Sequence, residues 1–201
     1  MKILALDLSK TSTGWCIWDG AAEKPLYGHW VLGSEYTSDG GVFAKLHEGM
    51  SDLWRTICRF DYVAIESPIN PAQLQGNTTI QTIRLASGLA AHAHSFAYAM
   101  DCRPVIEVNV SSWRPDYIGK FHSDEARRVA RVAKKAGNSR ASARSDLKAL
   151  TMERCRQLGL NPRKDDEADA IGILTYIVLS HGETPPWIAD EVLRQPLGGP
   201  R

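Results

Sequence analysis

Acidic residues stand at the ends of two short apolar runs. Asp7 follows Ile3-Leu4-Ala5-Leu6 in the stretch ALDLSKTSTGW, and Glu66 follows Tyr62-Val63-Ala64-Ile65. A carboxylate on a buried strand is costly unless a cation or hydrogen-bond donors compensate its charge. Asp7 is therefore expected to be a metal ligand, a turn-capping residue or an acid of a phosphate-binding site.

A third group of acids opens a late apolar segment, DDEADAIGILTYIVLS. Asp166 and Asp169 are three residues apart, and Asp165 and Asp169 are four apart, so either pair would share one face of a helix. Acids in the first helical turn also complement the helix dipole. That explanation suits Asp165, Asp166 and Glu167 better than Asp169, which lies between two alanines. The spacing leaves open which acid pairs with Asp169.

Together the acids supply hard oxygen ligands, and no Cys/His cluster accompanies them. This donor set is typical of magnesium or manganese rather than of a soft metal. Several carboxylates around one point can hold two Mg²⁺ ions about 3.5–4 Å apart, an arrangement that hydrolyses phosphodiesters. Each acid taken alone has a structural explanation, whereas the set favours a metal site.

The elements that must position these acids follow from the hydrophobic pattern. Strands are predicted at 2–8, 13–19, 27–33, 62–66 and 104–109, and helices at 42–59 and about 78–100. A basic helix is predicted at 123–136, a helix at 145–159 with Ser145 as N-cap and Gly159 as C-cap, and an apolar helix ending near Gly182. We expect one domain over 1–182 and a loosely ordered tail over 183–201.

The net charge of +1 conceals an uneven distribution. Residues 120–164 carry thirteen Lys/Arg against four Asp/Glu, a net +9, so the remainder carries −8. Such a basic segment favours a polyanionic partner, although a solvated pair of helices could have the same composition. No apolar run approaches the eighteen or so residues of a membrane span. The four scattered cysteines, without a C-x-x-C motif, are typical of reduced thiols in a cytoplasmic protein.

The order of these motifs resembles the RuvC family, Holliday-junction resolvases of the RNase H-like superfamily, and most closely its phage-type members. The motifs are Asp7 on the first strand, Thr13-Gly14 opening the second, Glu66 closing VAIE, and D-x-x-D-A at Asp166 to Ala170. The resemblance runs from about residue 2 to residue 180.

The resemblance implies an α/β, RNase H-like fold: a mixed five-stranded sheet flanked by helices, with the first three strands antiparallel. It implies Asp7, Glu66, Asp166 and Asp169 as the catalytic and metal-binding set. The activity implied is that of a Mg²⁺-dependent endonuclease, with Mn²⁺ as a substitute, acting as a homodimer on four-way junctions or other branched DNA.

By the same resemblance, Lys148, Lys120 and Arg144 are expected close to the scissile phosphate. Other basic side chains would contact phosphates without reading sequence, namely Arg127, Arg128, Arg131, Lys134, Lys135 and Arg140. Trp113, in SSWRPDYIGK, is expected in the core, with base contact as the alternative.

Two features depart from the family pattern. Ser9 stands where the family usually has glycine, and its hydroxyl could still cap the turn. Residues 67–83 contain no aromatic residue, whereas RuvC resolvases have one soon after the second acid. A preference for branched DNA that is broader than strict four-way-junction selectivity fits this better.

Two other functions share parts of the pattern. A catalytically silent module of the same fold would bind branched DNA without cleaving it. An actin-like or sugar-kinase ATPase would share the D-x-x-x-x-[ST]-x-G start, but such proteins need two such domains and a second glycine-rich phosphate loop, which this sequence does not contain.

Overall fold

The structure, a computed structural model, describes residues 1–57, 59–68, 79–102, 105–138 and 141–193. Its strands are β1 (Ile3–Asp7), β2 (Thr13–Trp18), β3 (Leu26–Trp30), β4 (Tyr62–Glu66) and β5 (Ile106–Val108). Its helices are α1 (Asp39–Ile57), α2 (Ile80–Ala99), α3 (Val110–Ile118), α4 (Lys120–Lys135), α5 (Arg144–Gln157), α6 (Asp165–Ser180) and α7 (Pro186–Leu193). In these ranges, no helix is long and apolar enough to cross a membrane.

The five strands form one mixed sheet in the order β3-β2-β1-β4-β5. β1 pairs antiparallel with β2, and β2 with β3, whereas β1–β4 and β4–β5 are parallel pairs. The predicted α/β fold, with a five-stranded sheet whose first three strands are antiparallel, is confirmed. Because β1 and β4 are parallel neighbours, their carboxyl ends lie at the same edge of the sheet.

Side-chain alternation divides the core into two layers. Ile3 and Ala5 of β1 pack in the layer that contains α3, α5 and α6, whereas Leu4 and Leu6 pack on the opposite face against α1 and α2. β4 alternates in the same way, since Ala64 belongs to the α6 layer. Successive side chains of a strand point to opposite faces. The residue two positions after Ala5, and the residue two positions after Ala64, therefore lie on the face that α6 covers.

Helix α6 is the central helix of its layer. It is buried nearly all round, as its apolar sequence predicts, because it lies between the sheet and the helices α3 and α5. Gly172 allows a close approach to α3: a Cβ at this position would lie 2.5 Å from Cζ3 of Trp113.

Several details differ from the sequence-based prediction. The pattern does not predict α3, whose sequence VSSWRPDYI is polar and contains Pro115. Helix α5 begins at Arg144 with Ala143 as its N-cap, so Ser145 lies inside the first turn and is not the cap.

The expectation of a loosely ordered tail is wrong for its first part, because residues 186–193 form α7. Trp187 of α7 is buried, packs edge-on against Trp18 with 5.5 Å between ring centroids, and donates a hydrogen bond of 3.1 Å to Oγ1 of Thr175. Apolar packing of one large side chain thus orders a segment that its local sequence leaves undecided. Residues 194–201 lie outside the described ranges.

Candidate active site

Asp7 and Glu66 end neighbouring parallel strands. Leu6 pairs with Ile65 in the β1–β4 register, so the next residue of each strand is an acid. The alternation of both strands directs these two acids to the face that α6 covers. The sequence-predicted acids of β1 and β4 are therefore brought together, on the same face and at the same edge of the sheet.

The first turn of α6 meets this edge at Gly14. Gly14 pairs with Asp7 across β1 and β2, and a Cβ added to it would lie 1.9 Å from the carbonyl oxygen of Asp166. Side chains larger than hydrogen are excluded at this contact. The glycine of the Thr13-Gly14 motif thus allows α6 to present its acids beside Asp7.

A second contact fixes the beginning of α6. His29 of β3 pairs with Gly14, and its Nδ1 lies 2.6 Å from Oε1 of the buried Glu167. The backbone N–H of Arg163 donates to the other oxygen of Glu167 at 2.7 Å. Because both carboxylate oxygens of Glu167 are bound, this acid serves to hold α6 on the sheet.

The four predicted acids interact electrostatically. Burial raises the pKa of Asp7 well above its ordinary value, and the charges of Asp169, Glu66 and Asp166 raise it further. Burial raises the pKa of Asp169 to about 6 against the opposing charge of Arg114, and burial likewise raises the pKa of Glu66. The carboxylates from β1, β4 and α6 thus form one cluster in which negative charge is in excess.

Lys148 of α5 binds the acids at the start of α6. Its Nζ lies 2.6 Å from Oδ2 of Asp165 and 3.3 Å from Oδ1 of Asp166. Burial lowers the pKa of this amine, but its bond to Asp165 and the charges of Asp166 and Asp169 more than offset that, so the pKa lies above its ordinary value. Lys148 is therefore a cation at the acid cluster.

Asp165 and Asp166 occupy different environments. The Asp165 side chain is 43% exposed and bonded to Lys148, whereas Asp166 is 15% exposed and acts on Asp7. Burial raises the pKa of Asp165, but the hydrogen bond and charge of Lys148 together with backbone hydrogen bonds outweigh this, and the pKa is lowered overall. Asp166 rather than Asp165 therefore belongs with Asp169 in the cluster.

Lys120 and Arg144 are both exposed. The Lys120 side chain is 83% exposed and pairs with Asp124 at 3.4 Å, and among the described residues no contact joins it to the acid cluster. Arg144 is exposed, yet its charge is one of those that oppose the rise in the pKa of Glu66. Arg140 and most of the aromatic-free segment, residues 69–78, lie outside the described ranges.

Two residues of α3 also contact the acids, and only one of them stood out in the sequence. Trp113 is fully buried, as predicted, and its Nε1 donates a 3.1 Å hydrogen bond to Oε2 of Glu66. Arg114 is buried and lies 2.6 Å from Oδ2 of Asp169. The one sequence signal for Arg114 was its place beside a tryptophan expected in the core.

The acid cluster fits a hard divalent cation. Among the described residues, no three His, Cys, Asp or Glu side chains are already arranged as ligands of one ion. Burial and neighbouring carboxylates, however, raise the pKa values of Asp7 and Asp169, and Oδ1 of Asp169 is buried without a hydrogen-bond partner in the described part of the chain. A bound cation would offset this repulsion and supply that oxygen with a partner.

Comparison with known proteins identifies solved structures with a similar fold. No family model and no curated protein matches the sequence. The solved structure of Thermus thermophilus RuvC in complex with a Holliday junction substrate matches with a TM-score of 0.56 and 13% identity, over 92% of this chain and 99% of that chain. A second structure of Thermus thermophilus RuvC matches with a TM-score of 0.55 and 17% identity, with the same coverage. At these identities the similarity establishes a RuvC-like fold, as predicted.

Proposed function

We propose that this protein is a divalent-metal-dependent endonuclease that cuts branched DNA, with four-way junctions among its substrates. The observation that carries the proposal is the cluster of Asp7, Glu66, Asp166 and Asp169, which three separate elements bring to one edge of the sheet. The fold supports the choice of substrate, because it is shared with a RuvC whose structure holds a Holliday junction.

The four acids would hold Mg²⁺ or Mn²⁺, and their number suffices for two ions. When bound, such ions activate a water for attack on phosphorus and stabilise the leaving 3′-oxygen. Asp7 lies on the central strand, between Gly14 of β2 and β4, and would be one of the metal ligands. The packed face of α6 limits the access of bulk water to the acids, which strengthens every charge interaction there.

Lys148 and Arg144 supply positive charge beside the acids. The Lys148 ammonium is partly buried and bound to Asp165 and Asp166, and a phosphate oxygen that approaches the cluster would be a competing partner for it. Arg144 lies on the exposed side of the same helix and would bind a neighbouring phosphate. Lys120, at the start of α4, is proposed to bind phosphate farther from the acids.

The substrate also suggests a homodimer. A four-way junction presents two equivalent scissile phosphates related by a twofold axis. Two copies of the chain related by the same symmetry would place one acid cluster at each phosphate.

The proposal is tested with purified protein on labelled synthetic DNA. We expect nicking of a four-way junction in Mg²⁺ or Mn²⁺, with cleavage of flaps and replication forks measured in parallel and linear duplex as the negative substrate. Asp7→Asn should abolish nicking while junction binding persists. If the wild-type protein leaves every branched substrate intact with both metals, the endonuclease proposal is wrong, and binding without cleavage would indicate the silent module instead.

A further inference from the structure

Two consecutive residues of α3 hold acids from two other elements. Trp113 donates from Nε1 to Oε2 of Glu66 on β4, and Arg114 donates from its guanidinium to Oδ2 of Asp169 on α6. The distances are 3.1 and 2.6 Å. A single turn of α3 therefore connects the acid at the end of β4 to the acid on α6.

The two side chains form a rigid unit. The guanidinium carbon of Arg114 lies 4.5 Å from the centroid of the Trp113 ring, and the ring packs against Gly172 of α6. Trp113 is 0% exposed and Arg114 is 8% exposed. Stacking on an aromatic face and close packing restrict the rotamers of both residues, so the donors that they aim at the acids are fixed in direction.

Arg114 is costly as a purely structural residue. A buried guanidinium loses its hydration, and the Nε of Arg114 has no hydrogen-bond partner among the described residues. Its bond to Asp169 uses one carboxylate oxygen only, and the other oxygen, Oδ1, is buried without a partner in the same part of the chain. Arg114 therefore orients Asp169 and leaves one oxygen available.

We propose that Trp113 and Arg114 are positioning residues that fix Glu66 and Asp169 for metal binding. This inference rests on the proposed function, since it assigns a metal to the acid cluster. Donors that bind the outer oxygens of metal-ligating carboxylates orient those ligands, and their loss commonly lowers metal affinity by about 10–100-fold. Trp113 and Arg114 stand in that relation to the two acids.

The test uses two variants that keep the net charge of the protein. Trp113→Phe removes the Nε1 donor and keeps an aromatic ring, and Arg114→Lys keeps the charge and loses the planar, stacked guanidinium. We expect each variant to bind Mn²⁺ about 10-fold more weakly in calorimetric titration of the DNA-free protein. On junction DNA we expect a lower kcat with little change in KM, because neither buried residue is placed to contact DNA.

Trp18→Phe is the matched control. Trp18 is buried in the same layer, but its Nε1 donates to the backbone carbonyl of Ala22 rather than to an acid. We expect this variant to lose thermal stability comparably and to keep the Mn²⁺ affinity of the wild type. If Trp113→Phe and Arg114→Lys also keep wild-type affinity and kcat, both residues are structural and the positioning proposal is wrong.

The outcomes for the two proposals are separable. A wild-type protein that binds Mn²⁺ but cuts no branched DNA would refute the nuclease, while the relative affinities of the variants would still decide the positioning roles. A wild-type protein that binds no Mn²⁺ would refute the positioning roles directly. Nicking by the wild type with undiminished metal binding in both variants would uphold the nuclease and refute the positioning roles.

Discussion

At the scale of single residues, the site is defined by an excess of negative charge on half-buried and buried carboxylates. Four carboxylates interact, and the cations that contact them in the described part of the chain are Arg114 and Lys148. The pKa values of Asp7, Glu66 and Asp169 are all raised, mainly because burial disfavours the charged form. Such a cluster destabilises the metal-free protein and is typical of a site that is built for a ligand rather than for stability.

Asp7→Asn should stabilise the metal-free protein. The folded-state pKa of Asp7 is raised, so the folded protein binds this proton more tightly than the unfolded chain. The resulting penalty is absent below the unfolded pKa of about 4, grows as pH rises toward the folded pKa and is fully present above it. In EDTA at pH 8 we expect the variant to have a higher free energy of unfolding and a higher Tm than the wild type.

Thermal unfolding from pH 4.5 to pH 8 measures this effect. The gain should shrink toward pH 4.5, because the penalty decreases as the pH approaches the unfolded pKa of about 4. Mg²⁺ should stabilise the wild type more than Asp7→Asn, because the variant has lost a charged ligand. A variant that is less stable than the wild type at pH 8 in EDTA would contradict the charge-repulsion argument.

Lys148→Met should slow DNA cleavage. The substitution removes the ammonium that binds Asp165 and Asp166, and with it the positive charge available to an approaching phosphate. We expect the nicking rate at saturating DNA to fall about 10²-fold, as when one donor to a reacting anion is lost. Lys45→Met, an exposed lysine of α1, is the control and should nick at the wild-type rate. Equal nicking rates for the two variants would show that Lys148 does not contribute to cleavage.

At the scale of elements, the site depends on how α6 meets the sheet. The acids of β1 and β4 are aligned by the parallel register of the two strands alone. Asp166 and Asp169 are brought to them by the packing of α6 against the sheet. Two contacts decide where α6 begins: the absence of a side chain at Gly14, and the bond between His29 and Glu167. The start of α6 is thereby tied to β2 and β3, on the antiparallel side of the sheet.

Gly14→Ala should misplace the acids of α6. A methyl group at this position would lie 1.9 Å from the backbone carbonyl oxygen of Asp166, so the helix start must shift. A misplacement of about 1 Å can cost about 10²-fold in rate, and we expect at least that loss of nicking, together with a lower Tm.

Gly40→Ala is the matched control for this substitution. Gly40 is exposed in α1, and an added Cβ would meet nothing within 4 Å. Alanine in place of a helical glycine should leave nicking unchanged and raise stability slightly. Nicking by Gly14→Ala at the rate of Gly40→Ala would show that the contact at Gly14 does not position the acids.

At the scale of the whole molecule, helix α4 carries a row of basic side chains. Helix α4 is strongly amphipathic, and Arg127, Arg131 and Lys135 recur at intervals of four residues, so they share one face. Arg131 and Lys135 are exposed, and Arg127 is half-buried. Such a face is suited to binding phosphates.

Replacing Arg127, Arg131 and Lys135 by alanine should weaken DNA binding without altering the chemical step. Each lost phosphate contact lowers the slope of log affinity against log salt by about 0.9, so the triple variant should lose about 2–3 from that slope. Fluorescence anisotropy on a junction from 50 to 200 mM salt measures it, with Lys45→Ala/Arg55→Ala on α1 as the control. An unchanged slope would mean that α4 does not contact DNA.

The pattern of the sequence predicted most elements because their signals are local. The strands are short apolar runs, two of which end in acids, and α6 is apolar nearly all round, so both types of element are evident without their neighbours. Helix α3 was not predicted because its polar segment with Pro115 has little apolar periodicity; it is stabilised by the burial of Trp113 and by a cap, the Asn109 side chain accepting from the N–H of Ser111. Helix α7 is likewise stabilised by the packing of Trp187.

The sequence by itself determined that Asp7 and Glu66 each end a short apolar strand. Their convergence was implied by the resemblance to the RuvC family, and the structure shows it because β1 and β4 are parallel neighbours. Only the tertiary structure decided that Asp166 rather than Asp165 joins them, that Lys148 contacts the acids while Lys120 does not, and that Arg114 and Trp113 hold two of them. These relations depend on the distances between α3, α5 and α6. Those distances are set by side-chain packing among residues far apart in the chain, and local periodicity carries no information about them.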